Sequence, residues 1–179
     1  MDEIRKNFHN DLESVRAEVI RLGASLTESI PRATAVLLSG DLEGADYLVQ
    51  ADDEFDGRSA ELEVSCFEIL ALQAPVAADL RQIVAIIKIA GELERSADLV
   101  VNICKAARRI YGKEIDPVLR GLISKMSEQA EQLYQSAINS FAENDAATAA
   151  APDETGCAAR RSPDRARVRR LVRCDARPT

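Results

Sequence analysis

The 179-residue sequence has no tryptophan, and phenylalanine and tyrosine together supply only 4% of it. Sheet sandwiches concentrate aromatic and β-branched residues, so this shortage points to aliphatic helix packing instead. Histidine occurs once, as His9. That excludes the Glu-x-x-His pairs of ferritin-like di-iron bundles and leaves general acid–base work to carboxylates alone. The sequence contains no Walker loop, no Gly-x-Ser-x-Gly elbow and no Cys-x-x-Cys pair. Its four cysteines are Cys66, Cys104, Cys157 and Cys174. The first two fall inside helical patterns and are expected to be small buried hydrophobes in a reducing compartment. No stretch approaches the ~18 consecutive apolar residues of a membrane span. The opening MDEIRKNFHNDLE lacks the apolar core of a secretory signal. The expectation is a cytoplasmic protein that is not an enzyme and does not insert into the membrane.

Hydrophobic residues make up 46% of the chain, enough for a genuine core. The net charge of −7 is unevenly spread. Residues 1–145 carry 15 Lys and Arg against 26 Asp and Glu, whereas residues 146–179 carry 8 against 4. An acidic body is the wrong partner for nucleic acid, which needs a basic face. It suits cations and basic proteins.

Apolar residues recur at steps of three and four from Phe8 through Leu12, Val15, Val19, Leu22, Leu26 and Ala33 to Leu37. This predicts one long amphipathic helix, kinked at Pro31, ended by Ser39-Gly40 and followed by a helix capped by Asp41. The second helix runs from about 41 to 73 on a seam of Ala45, Leu48, Asp52, Phe55, Ser59, Leu62, Cys66 and Ile69. Asp52 is the anomaly on that line. A third helix from about 75 to 111 has Pro75 in its first turn and is apolar nearly all round at IVAIIKIA, residues 83–90, as a well-covered central element would be. A fourth helix follows Gly112 and Pro117, with Leu119, Ile123, Met126, Ala130, Leu133, Ala137 and Phe141 on one face. The fold class is all-α, with three long antiparallel helices joined up-down-up by short loops.

The fourth helix repeats the first at an offset of 104 residues: Leu22 falls on Met126, Leu26 on Ala130, Ala33 on Ala137 and Leu37 on Phe141. The chain therefore divides into a three-helix bundle over 1–112 and the first helix of an incomplete second bundle over 113–149. Residues 150–179 are an Arg-rich tail without a helical seam. Either the tail binds RNA or anionic lipid, or it is a disordered, out-of-frame product of a GC-rich gene without selected function; the second is the expectation. The lone fourth helix must then dock on the first bundle, pair with another chain or stay sticky.

Within ELERSAD, Glu94 and Asp98 stand at i and i+4, one turn apart on one helical face, and Asn102 extends the stripe. Carboxylates at that spacing can share a hard or borderline cation. By spacing alone, a solvated face is the more ordinary outcome. Asp52 and Asp56 form a second such pair on the second helix. An antiparallel neighbour could bring the two pairs together, but spacing does not set the register.

The stretch LALQAPVAADLRQIVAIIKIAGELERSADLVVNI, residues 70–103, resembles the signature of the PhoU family. It carries Gln73, Pro75, Val76 and Ala77 in a turn, then Asp79, Leu80 and Arg81, then Glu94, Arg95, Asp98 and Asn102. FHNDLESVRAEVIRLG and DLEGADYLVQADDEFD are also similar to that family, so the resemblance spans about residues 4–149. The family usually has Gly where Ala97 stands. The resemblance implies two similar three-helix bundles, each with an acidic motif on its third helix that holds a divalent or iron-type metal. It implies a negative regulator of phosphate uptake and phosphate-starvation signalling. Its partners would be the ATPase of the phosphate ABC transporter and a membrane sensor histidine kinase, and it would act as a homodimer. On that basis Glu94, Asp98, Asn102, Asp52 and Asp56 are candidate metal ligands, and Asp79, Arg81 and Arg95 candidate partner contacts.

Overall fold

The computed structural model describes residues 2–144; the side chains of residues 2–6, the end of the predicted second unit (145–149) and the Arg-rich tail lie outside what it describes. Four helices follow one another: α1 (Asp2–Ser39), α2 (Leu42–Gln73), α3 (Ala77–Arg109) and α4 (Pro117–Glu143). Among the described residues there is no strand. α1, α2 and α3 pack on one another as a bundle, and α4 lies against α1.

The core is aliphatic, as the lack of aromatics requires. Val19, Leu22 and Leu26 of α1, Cys66 of α2, and Ile83, Ile86 and Cys104 of α3 are almost wholly removed from water. Burying each large aliphatic side chain contributes about 1.5–3 kcal/mol, which makes this line the main source of stability. The α2 seam is buried as its periodicity predicts: Ala45, Leu48, Phe55, Ser59, Leu62, Cys66 and Ile69. Asp52, the anomaly on that line, is half-buried. Burial pushes the Cys66 thiol up to about 11. The Cys104 thiol is also raised, first by burial. Neither offers a thiolate at neutral pH.

Helix ends follow local chemistry. Gly40 takes a positive φ of 72° to close α1. The Asp41 side chain accepts from the Gly44 N–H at 2.9 Å, starting α2. Asp116 accepts from the N–H groups of Val118 and Leu119 at 2.9 and 3.1 Å, with Pro117 in the first turn of α4. α1 runs unbroken through Pro31.

Three expectations need correction. Pro75 does not sit in α3. α2 ends on Ala74 in the left-handed region, Val76 is extended, and α3 opens only at Ala77. The IVAIIKIA stretch is not covered all round. Ile83, Ile86 and Ala90 are buried, but Val84 is 38% exposed, because only α1 and α2 pack broadly on α3. The α4 seam is also rotated. Ile138 is buried and Ala130, Tyr134 and Phe141 pack on the core, while Met126 and Ala137 face outward. With α1 as its main partner, α4 needs only a narrow stripe, and Ile138 is placed by the bare backbone of Gly23, where a side chain would overlap it.

Charged groups tie the helices at the periphery. Glu18 of α1 accepts from Arg21 at 2.7 Å and from Arg58 of α2 at 2.8 Å. Burial alone would raise the Glu18 carboxyl, but these two arginines outweigh it and hold it below its ordinary 4.5. A depressed carboxylate stabilises the fold above its unfolded value and loses that contribution as pH falls through the folded one. Glu18→Gln is therefore expected to cost about 0.5–1 kcal/mol at pH 7. Thermal melts of the two proteins should converge as the pH is taken below 4.5; a constant offset across that window would show that the ion pairs contribute nothing.

Candidate functional site

The exposed face of α3 carries Glu94, Asp98 and Asn102, one per turn. The Arg108–Asp46 ion pair joins α3 to α2 and reveals their register. Moving from Asp46 along α2 to Asp52, and the same number of residues back from Arg108 along α3, reaches Asn102. Asp56 comes level with Asp98 in the same way. The two acidic pairs, separate in sequence, thus lie along one α2–α3 seam.

Asp52 sits half-buried beside part of this charge. Its carboxyl is raised above the ordinary 3.8, first by burial and then by the charges of Asp56, Asp98 and Asp53; Lys105 opposes them. Among the described residues, Glu94, Asp98 and Asp56 make no ion pair with a basic side chain. Lys105, which tempers this field, escaped the sequence reading. Its signal was its place two turns beyond Asp98 on the same helix face.

The donors are carboxylate and amide oxygens, the set that hard cations take and soft ones do not. Carboxylates paired one turn apart leave most of a hard cation's shell to water. Among the described residues no three His, Cys, Asp or Glu side chains are grouped to hold an ion by themselves. Next to Asp52 a cavity of about 210 Å³ opens between α1 and α2, with Ala97, Val100 and Val101 of α3 lining it. Its two arginines are engaged, Arg32 with Glu28 and Arg58 with Glu18, so it offers no free cation to an anion.

The remaining candidates lie elsewhere. Asp79 is half-buried and Arg81 exposed in the first turns of α3, near the α2–α3 connection. Arg95 is exposed beside Glu94. His9 is exposed and packs edge-on to Phe8 near the start of α1. Sequence reasoning missed the groups that hold α4. Arg16 donates to the carbonyls of Phe141 and Ala142 at 3.1 and 2.7 Å and lies over the Phe141 ring. The Tyr134 and Ser96 hydroxyls are 2.5 Å apart, and Ser96 belongs to the stretch between Glu94 and Asp98. No helix of the described residues is long and apolar enough to cross a membrane.

Residues 19–107 match the family model described as PhoU domain. The chain is 33% identical over 136 residues to the phosphate-specific transport system accessory protein PhoU homolog of Aquifex aeolicus, covering 75% of this chain and 61% of that one. It is 29% identical over 140 residues to the homolog of Clostridium acetobutylicum, covering 78% and 64%. Against the accessory protein PhoU of Escherichia coli K12 it is 27% identical over 142 residues, covering 79% and 58%. The chain thus spans about three fifths of the length of these relatives. The crystal structure of the phosphate transport system regulatory protein PhoU from Streptococcus pneumoniae superposes with a TM-score of 0.73 at 22% identity, covering 82% of this chain and 69% of that one, and so shares its fold.

Proposed function

Because the chain belongs to the PhoU family, we propose that it is an accessory protein of phosphate-specific transport that works by protein contact and not by catalysis. In this proposal it restrains phosphate uptake and phosphate-starvation signalling from the cytoplasm. It does so as a homodimer between the phosphate ABC transporter's ATPase and a membrane sensor histidine kinase. Asp79, Arg81 and Arg95 contribute to the partner surface. A divalent or iron-type cation steadies the acidic stripe through Glu94, Asp98 and Asn102, with Asp52 and Asp56 across the seam.

The observation that carries the cation is the α2–α3 register, which sets Asp52 and Asp56 level with Asn102 and Asp98; the Asp52 carboxyl is raised first by burial and then by Asp56, Asp98 and Asp53. A positive charge beside that group relieves the mutual repulsion of four carboxylates. A metal-free scaffold remains the second reading, favoured by the lack, among the described residues, of any group of three acidic, His or Cys side chains placed to hold an ion.

Two measurements on wild type and Glu94→Ala/Asp98→Ala separate them. Elemental analysis after equilibration with divalent metal should show the ion on wild type and its affinity reduced about tenfold or more in the double variant. Equal metal content sinks the site. In a bacterium lacking its own PhoU protein, expressing the chain in phosphate-rich medium should lower a phosphate-starvation reporter. A reporter indifferent to the wild-type chain sinks the regulatory role.

A further inference from the structure

The α2–α3 connection presents the two most exposed large apolar side chains of the described residues. Leu72 is 82% exposed and Val76 73%, and Leu80, in the first turn of α3, is 41% exposed. The backbone that presents them is strained. Ala74 and Ala77 hold φ of 42° and 51°, a region glycine enters freely and alanine does not. Strain persists only where the surroundings hold it. Here Gln73 donates to Asp11 of α1 at 3.0 Å and anchors the end of α2.

Beside this tip a dent of about 220 Å³ lies between α1 and α2. Val15 and Ile69 are its buried apolar lining, Leu72 borders it, and its only charged side chains are Asp11 and Glu68. An apolar floor under two carboxylates suits a side chain with an aliphatic stem and a cationic head, that is, lysine or arginine. A rigid apolar knob next to such a dent suits a segment that carries leucine-like and basic residues on one face.

We propose that the α2–α3 tip and the Asp11–Glu68 dent form a docking surface for a basic amphipathic segment of a partner protein. Charge decides between the possible occupants. An anionic lipid surface is repelled by Asp11, Glu68 and the acidic body behind them. A second copy meeting tip to tip sets the same carboxylates against themselves, because a two-fold contact is self-complementary. A basic protein segment meets neither obstacle, and the positive charge of Arg81 beside Leu80 is offset by the negative charge of Asp79. The surface stands apart from the Glu94–Asp98 stripe, so this proposal and the cation reading succeed or fail separately.

The test uses a synthetic helical leucine–lysine peptide and its leucine–glutamate counterpart, titrated by fluorescence anisotropy in about 0.15 M salt, where charges more than about 8 Å apart are screened. The leucine–lysine peptide should bind at one saturable site, about tenfold or more tighter than its counterpart. Leu72→Ser/Val76→Ser should weaken it about tenfold, and Glu68→Lys should do the same while gaining affinity for the leucine–glutamate peptide. Glu128→Lys, on the exposed face of α4, should change nothing. Circular dichroism checks that these surface variants remain folded. Four results overturn the proposal: unchanged affinity in the tip variants, an equal loss in Glu128→Lys, a dimer in sedimentation that disappears with Leu72→Ser/Val76→Ser, or tip-dependent binding to phosphatidylglycerol vesicles.

Discussion

Gly23→Leu should release α4 and leave α1–α3 folded. Ile138, 7% exposed, sits where Gly23 has no side chain, and even a methyl group there would overlap it. A leucine cannot be accommodated by a rotamer change at Ile138 alone, so the helices must separate. That forfeits the burial of Ile138 and the partial burial of Ala130, Tyr134 and Phe141, a local loss of about 2–4 kcal/mol. Arg16 would lose the Phe141 and Ala142 carbonyls, and Ser96 its Tyr134 partner. Helices in proteins draw most of their stability from packing an amphipathic face, and α4 would lose that support. Amide exchange within 117–143 should therefore rise sharply, and protease should cut there first, while the α1–α3 core keeps its protection. Gly23→Ala is the milder probe, and adding Ile138→Ala to it should restore part of the loss, since the smaller partner leaves room. If α4 keeps wild-type protection in Gly23→Leu, the close approach at Gly23 is not what holds it.

The same contact shows where the sequence ran out. Long seams with clear caps were readable because they rest on local chemistry: the α2 line from Ala45 to Ile69, and the Asp41 start. Three-dimensional packing decided the rest. IVAIIKIA satisfies an all-round apolar pattern, yet Val84 faces water, since nothing in one helix says how many neighbours it has. The α4 stripe shifted toward Ile138 because Gly23, far away in sequence, opened a groove there. At Pro75, the left-handed Ala74 and extended Val76 moved the start of α3 by two residues, against the ordinary preference for proline inside the first turn. The candidate site divides similarly. Glu94, Asp98 and Asn102 share a face by helical spacing alone, and Asp52 stood out as an acid on an apolar seam. That Asp56 comes level with Asp98 depends on the α2–α3 register, which the Arg108–Asp46 pair reveals and no periodicity encodes.

Ile86→Ala should cost about 2–5 kcal/mol of global stability, whereas Val84→Ala, two residues away, should cost well under about 1 kcal/mol. Ile86 is wholly buried at the meeting of α3 with α1 and α2, and removing its outer carbons leaves a cavity that straight helices close poorly. Val84 has a flank in water and leaves none. Against a total of about 5–15 kcal/mol for a domain, the first change takes a large share and the second almost none. Chemical denaturation of both variants checks this, and equal midpoints would mean that α3 is not seated as described. Ile86→Ala is also the sensitive background for the cation proposed at the acidic stripe. An ion that binds only the folded chain raises stability by RT ln(1 + [L]/Kd), about 2.7 kcal/mol at a hundredfold excess over Kd. Titrating divalent cation should thus move the Ile86→Ala midpoint upward, and the shift should vanish when Glu94→Ala/Asp98→Ala is added. A midpoint that ignores the cation leaves the four carboxylates as a solvated face.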